Sequence, residues 1–151
     1  MYREGVATII LNQNNEILLV NLTSFEKHFF AIPGGGIDKD ETKVETIKRE
    51  LFEELGIKEN SIKIIKESRF PIKFEFKTKP LIRNGHKYIG QIKYYFLVRY
   101  IGNNSDIKVY KKEVRKYVWC NYKDLNRYLL FENQLDDTIK IISDICPEII
   151  N

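Results

Sequence analysis

Three carboxylates on one face of a helix, set behind a glycine-rich loop, restrict what this chain can be. The stretch Gly35-Gly36-Ile37-Asp38-Lys39-Asp40-Glu41 is followed, after seven intervening residues, by Arg49-Glu50-Leu51-Phe52-Glu53-Glu54-Leu55-Gly56-Ile57. At about 100° per residue, Glu50, Glu53 and Glu54 share an arc of roughly 100°, and Val44, Ile47, Leu51 and Leu55 form a separate stripe that can face a core. Like charges at these spacings oppose helix stability by tenths of a kcal/mol per pair. They also raise one another's pKa unless a cation offsets them. Mg²⁺, or Mn²⁺, removes that conflict, because both are hard ions served by carboxylate and water oxygens. The expectation is a divalent-metal site for phosphate chemistry.

Each piece alone has a plainer reading. Acidic helix faces are commonly just solvated. Gly34, Gly35 and Gly36 could be a flexible turn after Pro33, and Gly56 an ordinary helix C-cap. The joint pattern is less ordinary: a glycine loop, Glu41 near the helix start, Arg49 beside the acidic cluster and a glycine stop immediately after it.

Residues Gly35 to Ile57 resemble the complete signature of the Nudix hydrolases, with no fixed position missing. The resemblance implies an α/β Nudix fold, a mixed β-sheet sandwiched between α-helices, and hydrolysis of a nucleoside diphosphate linked to another moiety. It further implies that Glu50, Glu53 and Glu54 ligate metal, that Arg49 orients them through a salt bridge, and that Glu41 braces the loop and can contribute to the metal cluster. Many members carry Glu and Gly where this chain has Asp38 and Asp40. Asp tolerates turn and left-handed geometry, so only a small adjustment of the loop is expected.

A chain of 151 residues, 43% of them hydrophobic, suits one domain over residues 1–151. No Pro/Gly/Ser-rich linker or repeat divides it. The opening Tyr2-Arg3-Glu4-Gly5 lacks an apolar signal-peptide stretch and no later segment is long and apolar enough to span a bilayer, so the expected location is cytoplasmic, with no membrane partner. Cys120 and Cys146 have no adjacent ligand pattern and read as small hydrophobes. With 25 Lys plus Arg against 21 Asp plus Glu, the net charge is +4, which suits polyanionic substrates. The basic run Lys108, Lys111, Lys112, Arg115 and Lys116 reads as a solvent-facing segment.

Periodicity predicts strands at Val6 to Ile10 and Ile17 to Val20, and the apolar run Phe29 to Ile32 leads into the glycine loop. A helix is expected from about Lys43 to Leu55. Further strands are expected within Ile62 to Phe70, Phe74 to Phe76, Tyr88 to Tyr100 and Tyr117 to Cys120. Helices are expected near Tyr122 to Leu130 and Asp136 to Ile145. The segments Phe70 to Lys87 and Gly102 to Glu113 read as long loops available as walls for substrate.

Hydrolysis of a phosphoanhydride needs charge neutralisation at the phosphates and a carboxylate to orient or deprotonate water. Glu54 can serve as that base, yet a ligating carboxylate is electronically occupied. Glu113 is the second candidate, as base or as a further metal ligand. Its position six residues before Trp119 resembles that of a metal-binding or water-activating Glu in the dinucleoside polyphosphate and RNA 5′-pyrophosphohydrolase branches of the family. The alternative for Glu113 is a salt bridge to its Lys and Arg neighbours. Arg3, with Gly35 and Gly36, is expected at substrate phosphate; by the same resemblance Phe30 packs beneath the loop. Tyr88, Tyr95, Tyr110 and Phe76 could stack a base, although strand aromatics more often fill cores.

The leading expectation is a Mg²⁺-dependent enzyme cleaving a nucleotide or dinucleoside polyphosphate, with the 5′ end of a triphosphorylated RNA as a further substrate. A (d)NTP pyrophosphatase is the second enzymatic reading. A Nudix-like regulatory domain that binds a nucleotide without turnover is the third, and it has no chemical need for the complete acidic cluster.

Overall fold

The computed structural model describes residues 1–150. Its centre is the parallel pairing of β1 (Tyr2–Leu11) with β8 (Gly90–Tyr100), in register from Tyr2↔Gly90 to Leu11↔Arg99. Around them run β2 (Ile17–Leu22), β3 (Gly34–Gly36), β4 (Ile62–Glu67), β5 (Ile72–Glu75) and β9 (Val114–Cys120). The path β4-β8-β1-β2-β9 has β3 added on β1 and β5 on β8, giving a mixed sheet of seven strands. β6 (Leu81–Arg83) and β7 (His86–Tyr88) pair only with each other, as a separate ribbon.

Alternation along the strands divides the core in two. Ala7, Ile9, Leu11 and Leu97 face α2 (Gln134–Ile145), against Ile141, Ile142 and Ile145. Val6, Ile10, Leu18, Phe96 and Val98 face α1 (Lys43–Leu55), against Ile47, Leu51 and Leu55. A period of two puts opposite faces of one strand against opposite helices, so the mixed sheet is sandwiched between them.

The α1 boundaries follow from local chemistry. Thr42 caps the start: its side chain accepts from the Glu45 N–H at 3.1 Å, and Glu45 Oε1 accepts from the Thr42 N–H at 2.9 Å. This reciprocal pair satisfies two donors the first turn leaves free. Gly56, at φ 64°, ends the helix in the left-handed conformation that glycine adopts without steric cost. Asp40 has φ 65°, so the loop departure from the usual glycine is absorbed by a residue that tolerates this geometry.

Several local expectations need correction. Val44 is 38% exposed; it lies on the first turn, beyond the edge of the sheet contact, and leaves the stripe to Ile47, Leu51 and Leu55. The segment Tyr122–Arg127 is a 3₁₀ helix, too short to bury a second α-helical face. Phe29 to Ile32 contributes one bridge, Val20↔Ala31. The supposed loop from Phe70 to Lys87 holds β5, β6 and the start of β7; the Asn84-Gly85 turn of the ribbon, at φ 51° and 78°, carries the left-handed pair that tight hairpins need. Phe30 is buried in the α2-side core, edge-on to Tyr128 at 5.0 Å between centroids. Cys120 and Cys146 are buried free thiols.

Candidate active site

Arg49 organises the acidic end of α1. Its Nε donates to Glu41 Oε2 at 2.7 Å and its Nη2 to Glu41 Oε1 at 2.9 Å, a bidentate pair. Nη2 also reaches the Gly36 carbonyl at 3.0 Å, and Nη1 reaches Glu50 Oε1 at 2.9 Å and Glu53 Oε2 at 3.4 Å. Glu41 further accepts from Thr46 Oγ1 at 2.7 Å and the Asp38 N–H at 3.0 Å. The Arg49 hydrogen bond above all, with those from Thr46 and the Asp38 backbone, holds the Glu41 carboxyl down at about 2. Glu41 thus ties the loop to the helix. Arg49→Lys is expected to lower kcat about 10- to 100-fold, because an ammonium keeps the charge but cannot hold the planar fork. Unchanged kcat and metal affinity in the variant would reduce Arg49 to a surface residue.

Glu54 is in the opposite situation. It is 6% exposed, and its Oε1 is buried with no hydrogen-bond partner among the described residues. Burial, followed by the charges of Glu50, Glu113 and Glu53, pushes its carboxyl up to about 8. Burial also pushes Glu50 up, against the pull of Arg49. An unpartnered buried carboxylate costs several kcal/mol unless protonated or met by a cation. The helix adds to the conflict, since Glu53 and Glu54 occupy its last turn, where no basic residue offsets the dipole.

Carboxylate oxygens are the donors that Mg²⁺ and Mn²⁺ take, and the orphaned Glu54 Oε1 fits such an ion. Among the described residues no three Asp, Glu, His or Cys side chains converge on one centre. Glu50 is turned to Arg49, and Glu53 is half-exposed beside the same guanidinium. Glu54 and Glu50 are the better-placed ligands, with rotation of Glu53 needed to join them.

Glu113 reaches this end of α1 through backbone contacts. The Lys108 N–H donates to the Leu55 carbonyl at 2.8 Å and the Tyr110 N–H to the Glu54 carbonyl at 2.9 Å. The Glu113 N–H then returns to the Tyr110 carbonyl at 2.9 Å. Its negative charge is felt at both Glu50 and Glu54. Two neighbouring cations are engaged elsewhere: Lys111 Nζ meets the Arg115 carbonyl at 3.2 Å, and Arg115 binds Asn21 Oδ1. Among the described residues Glu113 has no ion pair.

The glycines and Arg3 meet at the same place. β3 lies against β1 with Gly35 opposite Val6. A Cβ on Gly35 would strike the Glu50 carboxylate, and one on Gly36 the Arg3 guanidinium. These residues line a cavity of about 170 Å³ together with Glu54, Gln91 and Lys93. A larger cavity of about 690 Å³ adjoins it, sharing Phe25, Ala31, Ile32 and Lys93. Tyr95, Phe76 and Phe131 line the larger space, as does Asp137. Tyr88 and exposed Tyr110 belong to neither lining.

Sequence reasoning missed Lys93. It stands on β8 among alternating apolar residues, where a lysine reads as a solvent-facing position. Here its amine is enclosed; burial pulls its pKa down, with the Glu54 charge working against that pull. A cation and an unpartnered carboxylate therefore flank one polar cavity, which can receive a polyphosphate on one side and a divalent ion on the other.

Comparison with known proteins agrees with this geometry. The model of the NUDIX domain matches residues 1–140. The chain is 33% identical over 127 residues to an RNA pyrophosphohydrolase of Pelagibacter ubique, covering 82% of this chain and 78% of that protein. It is 31% identical over 129 residues to an RNA pyrophosphohydrolase of Zymomonas mobilis, covering 82% of each. In fold it is similar to a C. elegans Ap4A hydrolase binary complex, with a TM-score of 0.67 and 19% identity over 89% of this chain and 90% of that one. It is also similar to a MutT protein from Methanosarcina mazei, with a TM-score of 0.69 and 20% identity over 92% and 91%. The chain belongs to the NUDIX domain family, as a hydrolase of phosphoanhydride bonds.

Proposed function

We propose that this hydrolase acts on the 5′ end of triphosphorylated RNA, leaving a 5′-monophosphate. The observation that carries the choice of substrate is the 33% identity to an RNA pyrophosphohydrolase over most of both chains. The paired cavities support it, since the polyphosphate can lie between Arg3, Lys93 and Glu54 with the first nucleoside in the larger space lined by Tyr95 and Phe76.

In this reading Glu50 and Glu54, with Glu53, would hold Mg²⁺ or Mn²⁺, which would supply neutralisation of phosphate charge and a lowered pKa for water. Glu113 takes the proton as the water oxygen adds to the α-phosphorus, and the bond from that phosphorus to the bridging oxygen breaks with pyrophosphate leaving. Arg3 and Lys93 hold the phosphate oxygens, and the Gly35 and Gly36 backbone gives room for their approach. Lys93→Met is expected to raise KM for the triphosphate about tenfold or more, the scale of one lost charged hydrogen bond. Steady-state kinetics decide: an unchanged KM removes Lys93 from the phosphate site.

The decisive experiment is a substrate panel with Mg²⁺: triphosphorylated RNA, dinucleoside polyphosphates, dNTPs, nucleotide sugars, ADP-ribose and NAD(H), with products separated by chromatography. Conversion of the RNA to its 5′-monophosphate with the highest kcat/KM is expected. Turnover confined to dinucleoside polyphosphates or dNTPs would overturn the assignment.

A further inference from the structure

The ribbon of β6 and β7 carries a charge out of proportion to its size. Residues 76–89 contain Lys77, Lys79, Arg83 and Lys87 and no Asp or Glu, while the whole chain has a net charge of +4. The remainder of the protein is thus neutral, and its basic excess is concentrated on one projecting element. Among the described residues Lys77 alone of these four has an ion-pair partner, Glu132. Lys79, Arg83 and Lys87 have none among the described residues.

The position of the ribbon matters as much as its charge. Its base is closed by the Phe76 N–H donating to the Ile89 carbonyl at 2.8 Å. The chain leading into it, from Ile72 to Thr78, forms one wall of the 690 Å³ cavity. The ribbon therefore rises from the rim of the cleft. It carries two exposed apolar side chains, Ile82 at its tip at 71% and Ile89 at its base at 40%, with the rings of His86 and Tyr88 side by side at 6.3 Å. Two paired strands of this length, apart from the main sheet, are of marginal stability on their own. Cations interleaved with stackable rings match a single-stranded nucleic acid, whereas two isoleucines at opposite ends of the ribbon are too little for a contiguous apolar protein interface.

We infer that the β6–β7 ribbon binds the backbone phosphates of the RNA nucleotides downstream of the one seated in the cleft. This rests on the RNA reading of the active site. It makes the enzyme sensitive to chain length: a free nucleoside triphosphate fills the cleft alone, and a longer RNA also engages Lys79, Arg83 and Lys87.

The test compares the intact protein with K79A/R83A/K87A on ATP and on triphosphorylated RNAs of one to eight nucleotides, at several salt concentrations. The variant is expected to keep the ATP kinetics, to show KM raised about tenfold for the longer RNAs, and to lose about 2 units of the log–log salt slope, the release expected for three single-strand phosphate contacts. If the intact enzyme turns over RNA and the variant matches it at every length and salt, the ribbon assignment is overturned and the RNA reading stands. If the intact enzyme does not turn over RNA, both fall. Self-association that the variant abolishes, with RNA kinetics unchanged, would give the ribbon to a second copy of the chain and also overturn the proposal.

Discussion

Replacing Glu54 by Gln is expected to cut kcat by about 10²-fold or more and, at the same time, to stabilise the metal-free protein at alkaline pH. The first effect follows from removing an anionic oxygen from the proposed ion site. The second follows from the environment of Glu54, whose carboxyl is raised from 4.5 to about 8 mainly by burial. Below about pH 4.5 the group is protonated in both folded and unfolded chains. Between 4.5 and 8 the folded chain holds a proton that the unfolded chain has released, so stability falls as pH rises, and the loss levels off above 8. The shift corresponds to about 3–5 kcal/mol at the alkaline end. A neutral Gln carries no such dependence. Urea unfolding in EDTA from pH 4.5 to 8.5 should show the two proteins diverging with pH, and saturating Mg²⁺ should close the gap by taking the anionic form. Parallel stability curves in EDTA, or near-normal turnover in Mg²⁺, would remove Glu54 from the chemical centre.

Glu113→Gln is the second large effect, with kcat expected to fall about 10²-fold or more while folding and ground-state binding of substrate stay close to normal. The motivation is a carboxylate whose charge acts on Glu50 and Glu54 and whose neighbours Lys111 and Arg115 are committed to other acceptors. Single-turnover rates and substrate affinity together distinguish a proton acceptor from a bystander. The acceptor role predicts a slowed chemical step with affinity unchanged, and a normal rate would transfer the base role to Glu54.

The sequence and the structure part company at identifiable places. The span Lys43–Leu55 could be read to the residue because apolar periodicity and the Gly56 stop act locally. The sheet order could not, because the parallel pairing of β1 with β8 joins segments nearly ninety residues apart, and nothing local encodes it. The ribbon was read as a loop because three-residue strands are too short to show alternation, although Asn84-Gly85 carried a usable turn signal. Arg49, Glu41 and Glu50 do meet, as the signature spacing implies. The unequal environments of the three helix carboxylates were hidden, since helical angle alone cannot tell that Glu54 is roofed by protein while Glu53 is half open. Lys93 was passed over for the same reason: its neighbours in space come from β1, β3 and α1, and none is near it in the chain.

The tether between α1 and the segment bearing Glu113 uses only main-chain atoms, the Leu55 and Glu54 carbonyls meeting the Lys108 and Tyr110 amides. The exposed side chains Lys108, Tyr110, Lys111 and Lys112 can therefore drift in evolution or in a library without moving the acid, while Val109, packed against the α1-side core, has to stay apolar. Length cannot drift in the same way: an insertion or deletion between Tyr110 and Glu113 would put another residue in the place of Glu113. Grafting this segment into a related scaffold should succeed when the residue count from helix end to acid is preserved and the apolar anchors Ile107 and Val109 are kept.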